Sequence, residues 1–149
     1  KKEIYIPYHN YRFDTPDVSY KELLPRFHAN PDYLRHELHR VWIVEAQLRE
    51  GKRHVYQTRR FYLDEDSWLI VATENYDSRD ELWKISFVTS IYEFNLGAYV
   101  QRAFLYTDLE VGAYFANRLV NQLRPFDFTA EPKPVEYFTP TNVRKLGKR

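Results

Sequence analysis

The chain has 149 residues, enough for one domain with a sizeable core. Its 22 basic and 21 acidic residues leave a net charge of +1, so no global field directs it to nucleic acid or to an anionic membrane. It has no cysteine, which excludes thiol and disulfide chemistry, and no run near the ~20 apolar residues of a membrane-spanning helix.

The 13 tyrosines against 4 glycines, within a 17% aromatic fraction, favour sheet over helix. There is no methionine and no signal peptide, and Lys1-Lys2-Glu3 runs directly into a strand-like Ile4-Tyr5-Ile6. This start reads as a piece of a longer protein. Residues 1–35 form an irregular opening segment in which Tyr5, Tyr8, Tyr11 and Phe13 alternate poorly. It is expected to lie across a sheet or to pair with the remaining N-terminal part of the parent chain. Ser19, followed three residues later by Glu22, predicts a short capped helix over Ser19–Leu24, stopped by Pro25.

Residues 36–123 read as an antiparallel meander. Its first four strands are His36–Leu48, Lys52–Leu63, Trp68–Tyr76 and Glu81–Phe94, and Tyr99–Thr107 and Ala113–Leu123 complete six. Strand side chains alternate with period two, so each turn fixes a register. A turn centred on Glu50-Gly51 sets Trp42 opposite Arg59 and Leu38 opposite Leu63. A turn at Glu65-Asp66 sets Phe61 opposite Ile70, and one at Ser78-Arg79 sets Ile70 opposite Phe87 and Glu74 opposite Trp83. One face is then expected to hold Leu38, Trp42, Val44, Phe61, Leu63, Trp68, Ile70, Ala72, Trp83, Ile85 and Phe87. The other face mixes Val41, Ile43, Tyr62, Leu69, Val71, Leu82 and Val88 with Thr58, Arg60 and Lys84, so both faces call for cover. Residues 124–149 form a Pro-rich tail, broken at Pro125, Pro132 and Pro134. It ends in a helix with Thr139 as N-cap, Pro140 at its first position and Gly147 as stop. The fold class is mainly β: a curved antiparallel half-barrel with a few short helices, in one domain over 1–149.

Arg40, Gln57, Arg59 and Glu74 interrupt the apolar face. Buried charges are normally paired, so a structural Arg59–Glu74 pair with Arg59 stacked on Trp42 is one account. The other makes Arg40 and Arg59 head-group contacts at the mouth of a cavity lined by Trp42, Val44, Phe61, Trp68, Ile70, Trp83, Ile85 and Phe87. His36 and His39 point to opposite faces of their strand, and His9, His28 and His54 lie apart, so no zinc spacing is present. The acidic turns Asp64-Glu65-Asp66 and Asp77-Ser78-Arg79-Asp80 lack the glycine and final glutamate of a calcium loop, and turn-initiating aspartates explain them. Neither a nucleophile elbow nor a phosphate loop occurs, and Glu45, Glu74 and Glu93 offer no distinguished acidic pair. Arg144, Lys145, Lys148 and Arg149 suit the negative end of the last helix. Neither a cofactor nor a metal is expected.

Three blocks carry a family resemblance: Glu37–Ala46, Gly51–Tyr56 and Phe61–Trp68. Asn75-Tyr76-Asp77, Leu82-Trp83-Lys84, Tyr106–Leu109 with Gly112, and Tyr137–Pro140 extend it. The chain resembles the domain-of-unknown-function 1329 family of bacterial outer-membrane lipoprotein-sorting-like proteins, over their C-terminal portion. The resemblance implies a secreted Gram-negative protein with a signal peptide upstream and a carrier-like half-barrel. It also implies an association with exporters of the resistance-nodulation-division type, and it transfers no catalytic motif. The function expected is non-enzymatic: a periplasmic carrier or binding module for a lipid, acyl chain or lipoprotein. Two alternatives are an interaction subunit docking on an envelope exporter or outer-membrane partner without a small ligand, and a hydrolase of envelope lipids or glycans.

Overall fold

The computed structural model describes residues 1–123 and 126–147; Pro125, Lys148 and Arg149 of the expectations above lie outside them. Seven strands follow one another across one antiparallel sheet, each paired with its sequence neighbours. They are β1 (Lys2–Pro7), β2 (His36–Gln47), β3 (Thr58–Asp64), β4 (Ile70–Tyr76), β5 (Leu82–Glu93), β6 (Ala98–Asp108) and β7 (Ala113–Asn117). The mainly β fold class is as read from the sequence. The seventh strand comes from the opening segment: β1 pairs with β2 from Lys2 opposite Val41 to Pro7 opposite His36.

The local chemistry explains most element ends. Asp77 Oδ1 accepts from the backbone N–H groups of Arg79 and Glu81, closing the β4–β5 turn. Helix α1 (Tyr20–Leu23) is capped by Ser19, whose Oγ accepts from Glu22 N. Helix α2 (Pro140–Leu146) has Thr139 as its cap, Pro140 in its first turn and Gly147 at its end. The β2–β3 hairpin is looser than a turn centred on Glu50-Gly51 allows. Leu48 N bonds Gln57 O, so Lys52–Gln57 belong to the loop and the register moves to Trp42 opposite Leu63 and Val44 opposite Phe61.

The bulge between β3 and β4 decides which residues share a face. Between β3 and β4, Leu63 pairs with Ile70 but Tyr62 pairs with Ala72, leaving Val71 as the extra residue. The single continuous face expected from the sequence is therefore divided. From Ala72 onward β4 is turned over, and Thr73 and Asn75, not Ala72 and Glu74, lie beside Phe61 and Arg59. Because Ala72 pairs with Phe87 and Glu74 with Ile85, those two β5 residues belong to the opposite face from Trp42.

Strands β1 and β7 do not pair with each other, so the sheet stays open, and β1 curls over one face to approach β4 and β5. This inner face is the core. Ile6, Tyr8, Val41 and Val71 form one buried cluster under β1. Phe13, Leu23 and Ala29 of the opening segment form a second with Ala103 and Leu105 of β6. Residues 8–35 are thus the cover of the inner face. Asn121 fastens them, donating through Nδ2 to the carbonyls of Phe13 and Thr15.

Candidate functional site

The outer face of the sheet is the one left open. Successive outward residues of β2 are Arg40, Trp42 and Val44, facing Leu63 and Phe61 across β3. Trp68, in the β3–β4 turn, lays its ring over Trp42 at 6.4 Å with the planes 22° apart. Trp42 is nevertheless 39% exposed and Trp68 64%, with Leu38, Val44 and Ile70 also exposed beside them. Monomeric proteins seldom leave such a contiguous apolar surface without a use for it.

Farther along, the outer face sinks into a groove of about 270 Å³ whose apolar walls are Tyr56, Ile70, Val88, Phe104 and Tyr106. Its polar lining is Arg59, Thr73, Asn75, Ser86 and Gln101. Arg59 donates from Nε to Asn75 Oδ1 at 2.8 Å, and its guanidinium lies 4.8 Å from the Phe61 ring centre. It also lies 5.7 Å from the Tyr56 ring centre, and the N–H fork of a guanidinium is suited to carboxylate or phosphate.

The structure does not bring all the expected site residues together. Trp42, Val44, Phe61, Trp68 and Ile70 share the outer face, and Arg59 joins them. Ile85 and Phe87 do not. They line a pocket of about 280 Å³ on the inner face with Lys2, Ile4, Tyr62 and Ala72. There burial, and then the Glu74 carboxylate, push the Tyr62 hydroxyl up to about 12. Trp83 is the extra residue of the β4–β5 bulge and packs edge-on against Tyr56 at 5.7 Å. Arg40 is engaged with Glu65 at 3.3 Å. Its position lies six residues along β2 from Ala46, the partner of Arg59, so the backbones that carry the two arginines stand roughly 20 Å apart along the strand.

The structural Arg59–Glu74 pair is absent. Glu74 accepts from Tyr76 Oη and faces Arg60, because the bulge carries it to the inner face. Arg59 likewise lies over Phe61 and Tyr56 while Lys1 Nζ takes the place over Trp42, at 4.2 Å.

One constellation was not anticipated. His39 Nδ1 lies 2.8 Å from Asp64 Oδ1 and 3.3 Å from Asp66 Oδ2. Burial alone would raise the Asp64 carboxyl. The hydrogen bonds from Ser67 and His39 outweigh it and hold the group below the usual carboxylate range. A clue existed: the tighter hairpin would have set Asp64 opposite Glu37, an unfavourable pair of like charges. The looser register replaces Glu37 with Val41 and leaves His39 diagonal to Asp64.

A family model described as a protein of unknown function, DUF1329, matches residues 1–144. The chain belongs to the DUF1329 family. An uncharacterized protein of Pseudomonas aeruginosa is 40% identical over 152 residues, covering 100% of this chain and 33% of the relative. The DUF1329 chain thus spans about a third of the length of the curated relative it matches. A crystal structure of a DUF1329 family protein from Desulfovibrio piger aligns with a TM-score of 0.44 at 19% identity, covering 51% of this chain and 31% of that one.

Proposed function

We propose that this DUF1329 chain is the ligand-binding sheet of a non-enzymatic carrier or binding protein for a lipid or acyl chain in the periplasm of the Gram-negative envelope. The observation that carries the proposal is the open outer face, where the stacked but exposed Trp42 and Trp68 continue into a groove holding Arg59. The alkyl part of the ligand lies along Val44, Ile70 and the aromatic rings, and Arg59 meets its acidic head. Binding along an open face suits exchange with a membrane, since the ligand enters and leaves without unfolding anything. The envelope location and the lipoprotein-sorting role rest on the family resemblance.

The test is native mass spectrometry with lipid extraction on the full-length protein purified from a bacterial envelope. A stoichiometric lipid is expected, and its loss in Trp42→Ala and Arg59→Ala variants with unchanged melting curves ties it to this face. A lipid-free mass in gentle detergent overturns the carrier reading. The breadth and openness of the apolar surface would then favour the second reading, in which the same face docks on an envelope exporter or outer-membrane partner.

A further inference from the structure

The geometry points to a binding site for a divalent transition-metal cation, with zinc as its type ion, formed by His39, Asp64 and Asp66. It stands on the inner side of β2 and the β3–β4 turn, and it is independent of the lipid proposal. The three donor atoms, His39 Nδ1 and one carboxylate oxygen from each aspartate, all lie within 4.8 Å of one another. Zinc binds imidazole nitrogen and carboxylate oxygen at about 2.0–2.2 Å, which sets tetrahedral donors about 3.3 Å apart. The His39 Nδ1 to Asp66 Oδ2 separation is already 3.3 Å and that to Asp64 Oδ1 is 2.8 Å, and the two carboxylate oxygens, within 4.8 Å of each other, close on an ion by rotation of the exposed Asp66 side chain. One neutral imidazole and two carboxylates also balance the charge of the cation, a donor set suited to zinc, manganese or ferrous iron.

The surroundings are those of a built site. Asp64 is fully buried and uses its two oxygens differently. Oδ2 accepts from the backbone N–H and the hydroxyl of Ser67, which fixes the carboxylate and leaves Oδ1 to the His39 side. Hydrogen bonds to the oxygen that does not face an ion orient ligating carboxylates in this way. The His39 ring is held by the ring of Tyr8, 4.2 Å away. Lys1 and Arg40, the nearby cations, both bind Glu65 and do not neutralise the ligand carboxylates.

A second, independent observation concerns Tyr8. This residue is 2% exposed, and its hydroxyl, which lies among Tyr99, Asp64 and Ser67, makes no hydrogen bond of good geometry among the described residues. A buried hydroxyl left unpaired is costly and seldom found. A water or hydroxide completing the coordination of an ion between His39 and Asp64 would give it one. Asp66, 75% exposed, closes the site on its solvent side and gives the ion its way in.

The experiment is a titration of the intact, chelator-stripped protein with zinc alone, followed by calorimetry and thermal melting, and with cobalt(II), followed by visible absorption. One-to-one binding is expected, with a rise of several degrees in melting temperature and ligand-field bands of low-coordinate cobalt. Asp66→Ala, a change at the solvent-facing ligand, should leave the metal-free melting temperature in place and weaken zinc binding at least tenfold. Tyr8→Phe should keep binding but alter the cobalt spectrum. The assignment is overturned if no stoichiometric binding occurs up to millimolar metal, or if Asp66→Ala binds as tightly as the unaltered protein.

Discussion

Arg102 shows how narrowly a buried charge is held in this sheet. The residue is 3% exposed, its Nε donates to Asp14 Oδ2 at 2.7 Å, and the Phe126 ring lies 4.9 Å from the guanidinium. Removing one member of such a pair strands the other in a low dielectric, which typically costs about 3–5 kcal/mol, whereas replacing both with apolar groups is often neutral. Asp14→Ala should therefore lower unfolding stability by about that amount in urea titrations, and adding Arg102→Leu should recover most of it. The pH dependence follows from the same burial. Desolvation raises the Asp14 carboxyl and Arg102 only partly offsets it. A carboxyl raised on folding contributes stability that is fully present below its unfolded value and is lost as pH rises through the folded one. Stability measured from about pH 3 upward should show this declining component, and Asp14→Ala should remove it. A slope of opposite sign would mean that Arg102 dominates the titration.

Among the elements, the opening segment contributes more to stability than the tryptophan-bearing hairpin. Phe13 is almost fully buried against Leu23, Ala29, Ala103 and Leu105, so Phe13→Ala should cost about 3–5 kcal/mol. Trp68, exposed on its turn, should cost less than about 1 kcal/mol when replaced by alanine. Chemical denaturation of the two variants checks the order, and a larger effect at Trp68 would place the core on the wrong face. That order runs against what composition suggests, and the contrast marks what the sequence could disclose. Turns and caps were legible because their chemistry is local: Asp77 at its turn, Ser19 and Thr139 at their helices. The faces of β2 and β3 were legible too, since moving their hairpin to the looser register preserves the alternation. What escaped was the consequence of one extra residue. Val71 has no local signal distinguishing it from any β-branched strand residue, yet the bulge there moves Ala72, Glu74, Ile85 and Phe87 to the other side. Of the candidate site, the five outer-face apolar residues and Arg59 came together as read. The His39–Asp64–Asp66 cluster depended on a register that only the longer loop provides.

For the molecule as a whole, the asymmetry between the faces sets the functional question. The inner face has its own cover, while the outer face offers Trp42, Trp68 and Ile70 to whatever meets it. The three tryptophans make that meeting observable, because they report from different places. Trp42 and Trp68 lie on the open surface, and Trp83 is half-buried at the β4–β5 bulge against Tyr56, with Lys84 Nζ 4.3 Å from its ring centre. In a Trp83→Phe variant the fluorescence comes from the exposed pair alone, and it should be red-shifted and readily quenched by acrylamide. Adding a single-chain phospholipid below its micellar concentration should shift that emission to the blue and protect it, with a saturable dependence on lipid. Arg59→Ala should weaken the response to an acidic lipid about tenfold, the contribution of one charge-assisted hydrogen-bonded contact of roughly 1.4 kcal/mol or more, and leave the response to a neutral lipid nearly unchanged. Equal losses for both lipids would mean that Arg59 shapes the groove through Phe61 and Asn75 without meeting a head group. No blue shift with either lipid would leave the outer face to a protein partner, since a surface of this character still requires cover.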